Sequence, residues 1–179
     1  SASKLLKQAK EFNVKNVVIT NKEKFLIWKN KFLTNKIKIY NNFQDFEKIF
    51  SNKVDYVMSA ITGIDGLYPT LKIIKYTKNI AIANKESIIC GWDLIKKQLN
   101  KNKTNFIPVD SEHFSLWFGF KDVNKNLIEK IYLTASGGPF YKTPLKQFKK
   151  IKTNQALNHP NWKMGKKISI DSATMINKI

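Results

Sequence analysis

The chain has 179 residues, of which 42% are hydrophobic, and a formal net charge of +19 at pH 7. This length suits one full domain or parts of two, and no apolar run approaches the roughly 18 to 20 residues that span a bilayer. A single cysteine, Cys90, excludes an internal disulfide framework.

The positive charge comes entirely from lysine. All 32 basic residues are lysines, scattered along the chain among many asparagines, and arginine is absent. Arginine is the residue that binds guanine and phosphate in a bidentate manner, so its absence argues against a nucleic-acid partner. Lysines still attract phosphorylated small molecules. A lysine-rich nucleic-acid-binding α/β module is the alternative reading.

Over the first 109 residues, segments with apolar residues at helical spacing alternate with short continuous apolar runs. This alternation predicts a parallel α/β sheet. Strands buried on both faces suit such a sheet, and ligands collect at the carboxyl ends of its strands. The predicted strands are 15–20, 37–40, 54–61, 79–83 and 106–109, and the predicted helices are 5–12, 22–32, 43–50, 68–76 and 88–99.

The pattern changes after Lys130. Residues 131–135 are predicted to form a strand that ends in a small-residue turn, and 156–165 to form an ordered loop with Pro, Gly and Trp. A last strand is predicted over 167–170, followed by a helix that begins at Asp171.

Two carboxylates follow the predicted strand 106–109. Side chains alternate faces along extended backbone, so Asp110 and Glu112 are expected to project to the same side. Hard divalent cations such as Mg²⁺ or Mn²⁺ take one or two carboxylates and complete an octahedron with water or substrate oxygens. For this pattern taken alone, a solvated acidic turn is the favoured reading.

A phosphate site is predicted at two other strand ends. Ser136, Gly137 and Gly138 form a turn in which backbone N–H groups can converge on an anion. Ser172 lies where a helix N-cap belongs, and Asn177 and Lys178 follow within two turns. A plain turn and simple helix capping are the structural alternatives.

Three further side chains are candidates for the same pocket. Lys85 follows a buried strand, although a solvated lysine is the default in this chain. A lone histidine such as His159 is more often a packed or hydrogen-bonded residue than a catalytic one. Trp162 and Met164 are either core residues or a lid that excludes water from a reaction.

Together these segments resemble the 1-deoxy-D-xylulose 5-phosphate reductoisomerase family. The resemblance covers nearly the whole chain in order and spacing. It rests on the motifs ANKES at 83–87, PVDSEH at 108–113, LTASGGPF at 133–140, HPNWKMG at 159–165 and IDSATMINK at 170–178. It implies rearrangement and NADPH-dependent reduction to 2-C-methyl-D-erythritol 4-phosphate, with a divalent metal (Mg²⁺ or Mn²⁺), in the non-mevalonate isoprenoid pathway.

The resemblance also implies a role for each matching position. The expected metal ligands are Asp110 and Glu112, and the expected catalytic residues are these two with Lys85 and His159. The expected substrate contacts are Lys85, Ser111, Glu112, Ser136, His159, Trp162, Ser172, Asn177 and Lys178. The positions expected to approach NADPH are Asn84, Glu86, Met164 and Gly165, with Met164 also part of the lid.

For the fold, the resemblance implies an incomplete Rossmann-like NADPH-binding domain over 1–108 and the first part of an α+β catalytic domain over 109–179. A flap loop is expected over 156–166. Nothing before Leu5 resembles the family's glycine-rich motif, and its third metal carboxylate is expected beyond Lys178. We therefore expect an internal segment that is inactive on its own.

Three expectations concern the cellular setting and the alternatives. The full-length enzyme is expected to be a homodimer without a membrane or nucleic-acid partner. The Lys/Asn bias favours a plastid-type organelle over the bacterial cytoplasm. A noncatalytic relative that keeps the fold is disfavoured, because Lys85, Asp110 and Glu112 are all intact.

Overall fold

The structure is a computed structural model that describes residues 1–135, 137–161, 163 and 165–174, with the side chain of Ser111 left out. It divides into two compact units, 1–110 and 111–179. Each unit is described by itself. None of the helices in the described residues combines the length and the apolar character needed to cross a membrane.

The first unit alternates helices and strands, as the hydrophobic pattern predicts. Its helices are α1 (Ala2–Glu11), α2 (Lys22–Leu33), α3 (Phe46–Ile49), α4 (Leu67–Ile73) and α5 (Lys85–Asn102), with 3-10 turns at Phe43–Asp45, Ile64–Gly66 and Ile74–Tyr76. Its strands are β1 (Asn16–Val18), β2 (Lys38–Tyr40), β3 (Val54–Ser59), β4 (Thr77–Ile82) and β5 (Asn105–Pro108). All ten predicted elements are present, with ends shifted by a few residues.

The strands form two parallel sheets. One pairs β1 with β2, and the other has the order β3-β4-β5. Parallel strands joined through helices are the defining arrangement of α/β proteins, so the predicted α/β class is confirmed.

Each sheet has its own apolar cluster. The cluster of the two-stranded sheet contains Ala9, Val17, Ile19, Phe32 and Ile37, and that of the three-stranded sheet contains Ile73, Ile74, Ile80, Ile82, Ile95 and Leu99. Buried aliphatic side chains of this kind contribute about 1.5–3 kcal/mol each. These clusters hold the strand ends of the first unit in place.

The second unit contains helices and turns. Its elements are α6 (Ser111–Gly119), α7 (Thr153–Ala156) and α8 (Lys166–Thr174), with 3-10 turns at Lys125–Leu127 and Leu145–Lys150. No strand follows β5 in the described part of the chain.

The predicted strand over 131–135 is therefore wrong. These residues have no regular secondary structure and are exposed, with the Tyr132 side chain 80% accessible. A strand needs a neighbour to satisfy its backbone N–H and C=O groups, and the described residues provide none here.

The predicted strand over 167–170 is also wrong, because this segment lies inside α8. Ser169 and Ser172 are buried, whereas Ile168 and Ile170 are exposed. The two serines are three residues apart, which places them on one face of a helix. The buried face is thus polar, and a pattern based on apolar residues misses it.

Candidate functional site

Three strand ends of the first unit meet at one edge of the β3-β4-β5 sheet. The register pairs Ser59 with Ile82, and Ile82 with Pro108. Because the strands are parallel, the segments that follow them leave the sheet side by side. Asn84, Lys85 and Asp110, three of the predicted site residues, belong to these segments.

Lys85 and Asp110 face each other at this edge. Lys85 is the first residue of α5 and Asp110 follows β5, and Lys85 Nζ lies 3.9 Å from Asp110 Oδ1. The side chains are 25% and 19% exposed. A close charged hydrogen bond measures about 2.7–2.9 Å, so this is a long ion pair. An ammonium group and a carboxylate are thus presented together at the carboxyl edge.

Glu112 does not continue an extended chain from Asp110. It lies in the first turn of α6, which begins at Ser111. The expectation that alternation along a strand would put both carboxylates on one side is therefore wrong, because the backbone turns into a helix between them. The two carboxylates remain neighbours in sequence at the end of β5.

The acidic residues suit a hard cation by their chemistry. Within the described ranges, no group of three or more His, Cys, Asp or Glu residues is arranged to hold a metal ion. The half-buried Asp110 carboxylate, with Glu112 two residues on, supplies oxygen donors of the kind that Mg²⁺ and Mn²⁺ take once or twice per site. The donor set fits a divalent cation that keeps other oxygen ligands.

Asn84 occupies the turn between β4 and α5 and is 3% exposed. Its Oδ1 accepts a hydrogen bond from Ser87 N at 2.6 Å, which caps α5. Its Nδ2 donates to the backbone oxygens of Ile61 and Gly63, the latter at 2.8 Å. Both amide hydrogens are therefore engaged within the protein.

Glu86, next to Lys85, is half-buried in the first turn of α5.

A cavity of about 390 Å³ lies at the carboxyl end of β1. Its lining includes Lys4 and Gln8 of α1, Thr20, and Asn21 and Lys24 at the start of α2. Sequence reasoning missed this cavity. Polar residues directly after a predicted strand, at 20–21, are the signal that points to it.

In the second unit, the glycine turn lies directly against α8. Gly137 and Gly138 have φ values of +82° and +62°, a region that favours glycine. A Cβ on Gly138 would lie 2.6 Å from the backbone oxygen of Ser172 and 2.9 Å from Ala173 Cα. Two segments of the predicted phosphate site are thus in contact.

Ser172 does not cap a helix, contrary to expectation. α8 begins at Lys166, where Ser169 N donates to Gly165 O at 3.0 Å, and Ser172 lies well inside the helix. The positive end of the helix dipole is therefore not at Ser172. Lys167 and Asp171 form a 2.8 Å ion pair on α8.

His159 is buried, with 6% of its surface exposed. Its Nδ1 accepts a hydrogen bond from Asn161 N at 3.1 Å. Accepting at Nδ1 assigns the proton of the neutral ring to Nε2, so Nε2 is the nitrogen that can donate.

The remaining predicted site residues lie outside the described residues. These are Ser136, Trp162, Met164, Asn177 and Lys178, together with the side chain of Ser111.

Two family models match the chain in consecutive stretches. The model described as 1-deoxy-D-xylulose 5-phosphate reductoisomerase matches residues 1–91, and that of the C-terminal domain of the same family matches residues 106–179. The chain belongs to the 1-deoxy-D-xylulose 5-phosphate reductoisomerase family. The predicted resemblance is confirmed.

Similar reductoisomerases occur in several bacteria. The protein of that name from Pelagibacter ubique is 61% identical over 178 residues, which cover 98% of this chain and 46% of the relative. The Clostridium tetani protein is 43% identical over 181 residues, covering 99% and 47%. The chain thus spans about half the length of the curated relatives it matches.

Solved structures of reductoisomerases share the fold. The one from Zymomonas mobilis in complex with NADPH has a TM-score of 0.83 and 34% identity, covering 98% of this chain and 45% of that chain. A reductoisomerase in complex with NADPH, fosmidomycin and magnesium has a TM-score of 0.77 and 34% identity, covering 98% and 46%.

Proposed function

We propose that this chain takes part in the NADPH- and divalent-metal-dependent conversion of 1-deoxy-D-xylulose 5-phosphate to 2-C-methyl-D-erythritol 4-phosphate, a step of non-mevalonate isoprenoid biosynthesis. The observation that carries the proposal is the Lys85–Asp110 pair at the carboxyl edge of a parallel sheet. Both residues lie in motifs that resemble the family whose models match the chain.

Asp110 and Glu112 are the proposed metal ligands. A divalent metal held there supplies Lewis-acid polarisation of substrate oxygens. Lys85 is proposed to contact the substrate near the reacting carbons, where its ammonium group stabilises negative charge on oxygen. Ser111 is a proposed substrate contact beside these ligands. Two related reductoisomerase structures are complexes with magnesium, so magnesium is the favoured metal and manganese is the alternative.

NADPH is the proposed hydride donor. The cavity at the end of β1 offers Lys4 and Lys24 to an anionic part of the cofactor. Asn84, Glu86, Met164 and Gly165 are the positions proposed to approach it. Two related structures in complex with NADPH support the cofactor assignment.

The second unit is proposed to bind the substrate phosphate. The contact of the Gly137–Gly138 turn with Ser172 supports this assignment. The proposed phosphate ligands are Ser136, Ser172, Asn177 and Lys178. His159 is a proposed substrate contact through its Nε2 hydrogen, and Trp162 and Met164 are the proposed lid of the flap loop 156–166. In this scheme 1–108 is the remainder of the NADPH-binding domain and 109–179 is the first part of the catalytic domain.

The relatives bear on the source of the chain. The relatives named above are bacterial, so we propose a bacterial origin, with the bacterial cytoplasm as the compartment. They give no support to the plastid-type organelle, which stays a prediction. A homodimer likewise stays a prediction. Family membership favours the enzyme over the nucleic-acid-binding alternative.

The test is a hybrid protein in which this chain replaces the matching stretch of the Pelagibacter ubique relative. We expect NADPH oxidation that requires substrate and a divalent metal. Asp110→Asn should lower kcat about 100-fold or more, because a charged metal ligand is lost. The control is Asp93→Asn, which changes an exposed carboxylate on α5 and should leave kcat unchanged.

Two results would contradict the proposal. A folded hybrid without NADPH oxidation would favour the noncatalytic relative, and oxidation that is indifferent to Asp110 would remove the proposed metal site.

We also predict that the 179 residues alone do not turn over substrate. The same assay on the unextended chain checks this, and measurable turnover would refute it.

A further inference from the structure

We propose that Asn84 is a positioning residue for Lys85. The hydrogen bonds of its buried amide connect the first turn of α5 to the loop after β3. This connection keeps the Lys85 ammonium group opposite Asp110. The proposal rests on the proposed function, in which Lys85 contacts the substrate, and goes beyond an approach of Asn84 to the cofactor.

The contacts of Asn84 join two strand ends. Its Oδ1 caps α5 at Ser87 N, and its Nδ2 binds the backbone oxygens of Ile61 and Gly63 in the loop after β3. Lys85, the next residue, points to the end of β5, where Asp110 lies. Two consecutive side chains therefore connect the ends of all three strands.

The loop after β3 is shaped to receive this amide. A Cβ on Gly66 would overlap Asn84 Nδ2 and the Ile61 oxygen. Further along α5, a Cβ on Gly91 would lie 2.5 Å from a methyl group of Leu67. The segment from Ile61 to Leu67 thus fits closely against α5 at two points, and glycine is required at both for this approach.

The start of α5 also contains a buried hydroxyl. Ser87 is fully buried, and within the described part of the chain its Oγ has no hydrogen-bond partner. Such a group is costly, so it persists only where surrounding contacts fix the backbone. The amide of Asn84 supplies three of those contacts.

The test compares variants that separate two roles of Asn84. One is the helix cap that its Oδ1 provides, and the other is the pair of hydrogen bonds that its Nδ2 donates to the loop after β3. Asn84→Asp keeps an oxygen that can cap Ser87 N, but it loses both donors and places a carboxylate against two carbonyl oxygens. Gly66→Ala leaves Asn84 intact and displaces its amide. The matched controls are Asn21→Asp and Asn21→Ala, because Asn21 caps α2 by accepting from Lys24 N at 2.9 Å and is exposed.

The first measurement is the rate of reductive methylation of Lys85 in the 179-residue chain, followed by mass spectrometry. Lys96, exposed on the same helix, is the internal reference. We expect Asn84→Asp and Gly66→Ala to raise the Lys85 rate at least about threefold relative to Lys96, because the helix start opens more often. The Asn21 variants should leave the ratio unchanged. An unchanged ratio in folded Asn84→Asp and Gly66→Ala would overturn the proposal.

The second measurement uses the hybrid enzyme. A positioning role predicts that Asn84→Asp lowers kcat about tenfold at saturating NADPH, because a misplaced group weakens the reaction step. A raised KM for NADPH at constant kcat would overturn it, since Asn84 would then act by binding the cofactor.

The two readouts separate the two proposals. If the unmodified hybrid does not oxidise NADPH but the Lys85 rate still rises in the variants, the proposed function fails and the positioning of Lys85 by Asn84 is supported. If the hybrid is active and the Lys85 rate does not change, only the positioning role fails.

Discussion

The two units differ in what they bury. Every buried hydrophobic side chain of the described residues lies between Ala9 and Leu99, in the first unit. Among the described residues from 112 onward, the buried ones are Gly138, His159, Ser169 and Ser172. Large apolar side chains such as Tyr132 and Leu145 are exposed there.

This difference predicts that the two units respond differently to mutation. The first unit gains its stability from apolar burial, which is roughly proportional to the area removed from water. The second unit buries polar groups, which cost free energy unless they are hydrogen-bonded and which confer specific geometry when they are. We therefore expect mutations to act globally in the first unit and locally in the second.

The largest effect is expected from truncating the core of the first unit. Ile80 of β4 is 0% exposed, so Ile80→Ala should lower the free energy of unfolding by about 2–5 kcal/mol. Ile131→Ala, at a residue with 54% exposure in the second unit, should change it by less than about 0.5 kcal/mol. Urea denaturation measures both. Equal losses would show that the units do not differ in this way.

The next effect is expected at the glycine turn. Gly138→Ala puts a Cβ against the α8 backbone at a positive φ, so it should cost at least about 1 kcal/mol locally. Hydrogen exchange at 169–174 should speed up, while β4 keeps its protection. Gly165→Ala is the control, because no atom of the described residues other than its chain neighbours lies within 4 Å of an added Cβ. Unchanged exchange in Gly138→Ala would contradict the contact.

A smaller effect is expected at His159. His159→Ala removes the acceptor for Asn161 N and should destabilise the loop by about 1 kcal/mol, whereas His159→Asn places an oxygen near the position of Nδ1. Hydrogen exchange of the Asn161 amide should therefore rise in the alanine variant and stay near the original rate in the asparagine variant. Equal rates in both variants would exclude this hydrogen bond as the cause.

The smallest effect is expected at the surface of the first unit. Lys78 Nζ lies 2.8 Å from Asp55 Oδ1, and this hydrogen bond holds the pKa of Asp55 below its ordinary value. The pair therefore contributes at neutral pH, and its contribution is lost as the pH falls through the lowered pKa. Lys78→Gln should raise the Asp55 pKa, measured by carboxyl NMR titration, without a detectable change in neutral-pH stability. An unmoved pKa would contradict the pairing.

The first unit was predictable because its strands carry their own burial signal. Ile80, Ala81 and Ile82 of β4 are consecutive apolar residues and are all buried, as expected for the central strand of a parallel sheet. In the second unit the same reasoning failed. Residues 131–135 are mostly apolar but pair with no strand in the described part of the chain, and α8 buries serines instead of isoleucines. Hydrophobic periodicity carries no information about a polar buried face.

The candidate site was predictable in its residue types but not in its contacts. The motifs around Lys85 and Asp110 indicate chemistry, yet the hydrogen bonds from Asn84 to the loop after β3 require the close approach of Gly66 in that loop. Whether Ser172 lies at a helix start or inside the helix depends on where α8 begins, and helix starts are poorly marked when no capping residue precedes them.

The order β3-β4-β5 in the sheet follows the order of the strands along the chain. Each parallel pairing therefore closes only one short crossover, and short loops have a small closure entropy. Lys85 and Asp110 meet only once β5 has joined β4. We expect the candidate site to assemble in the folding step that adds β5. If β5 docks slowly, formation of the Lys85–Asp110 pair is delayed, whereas formation of the apolar cluster around β4 is not.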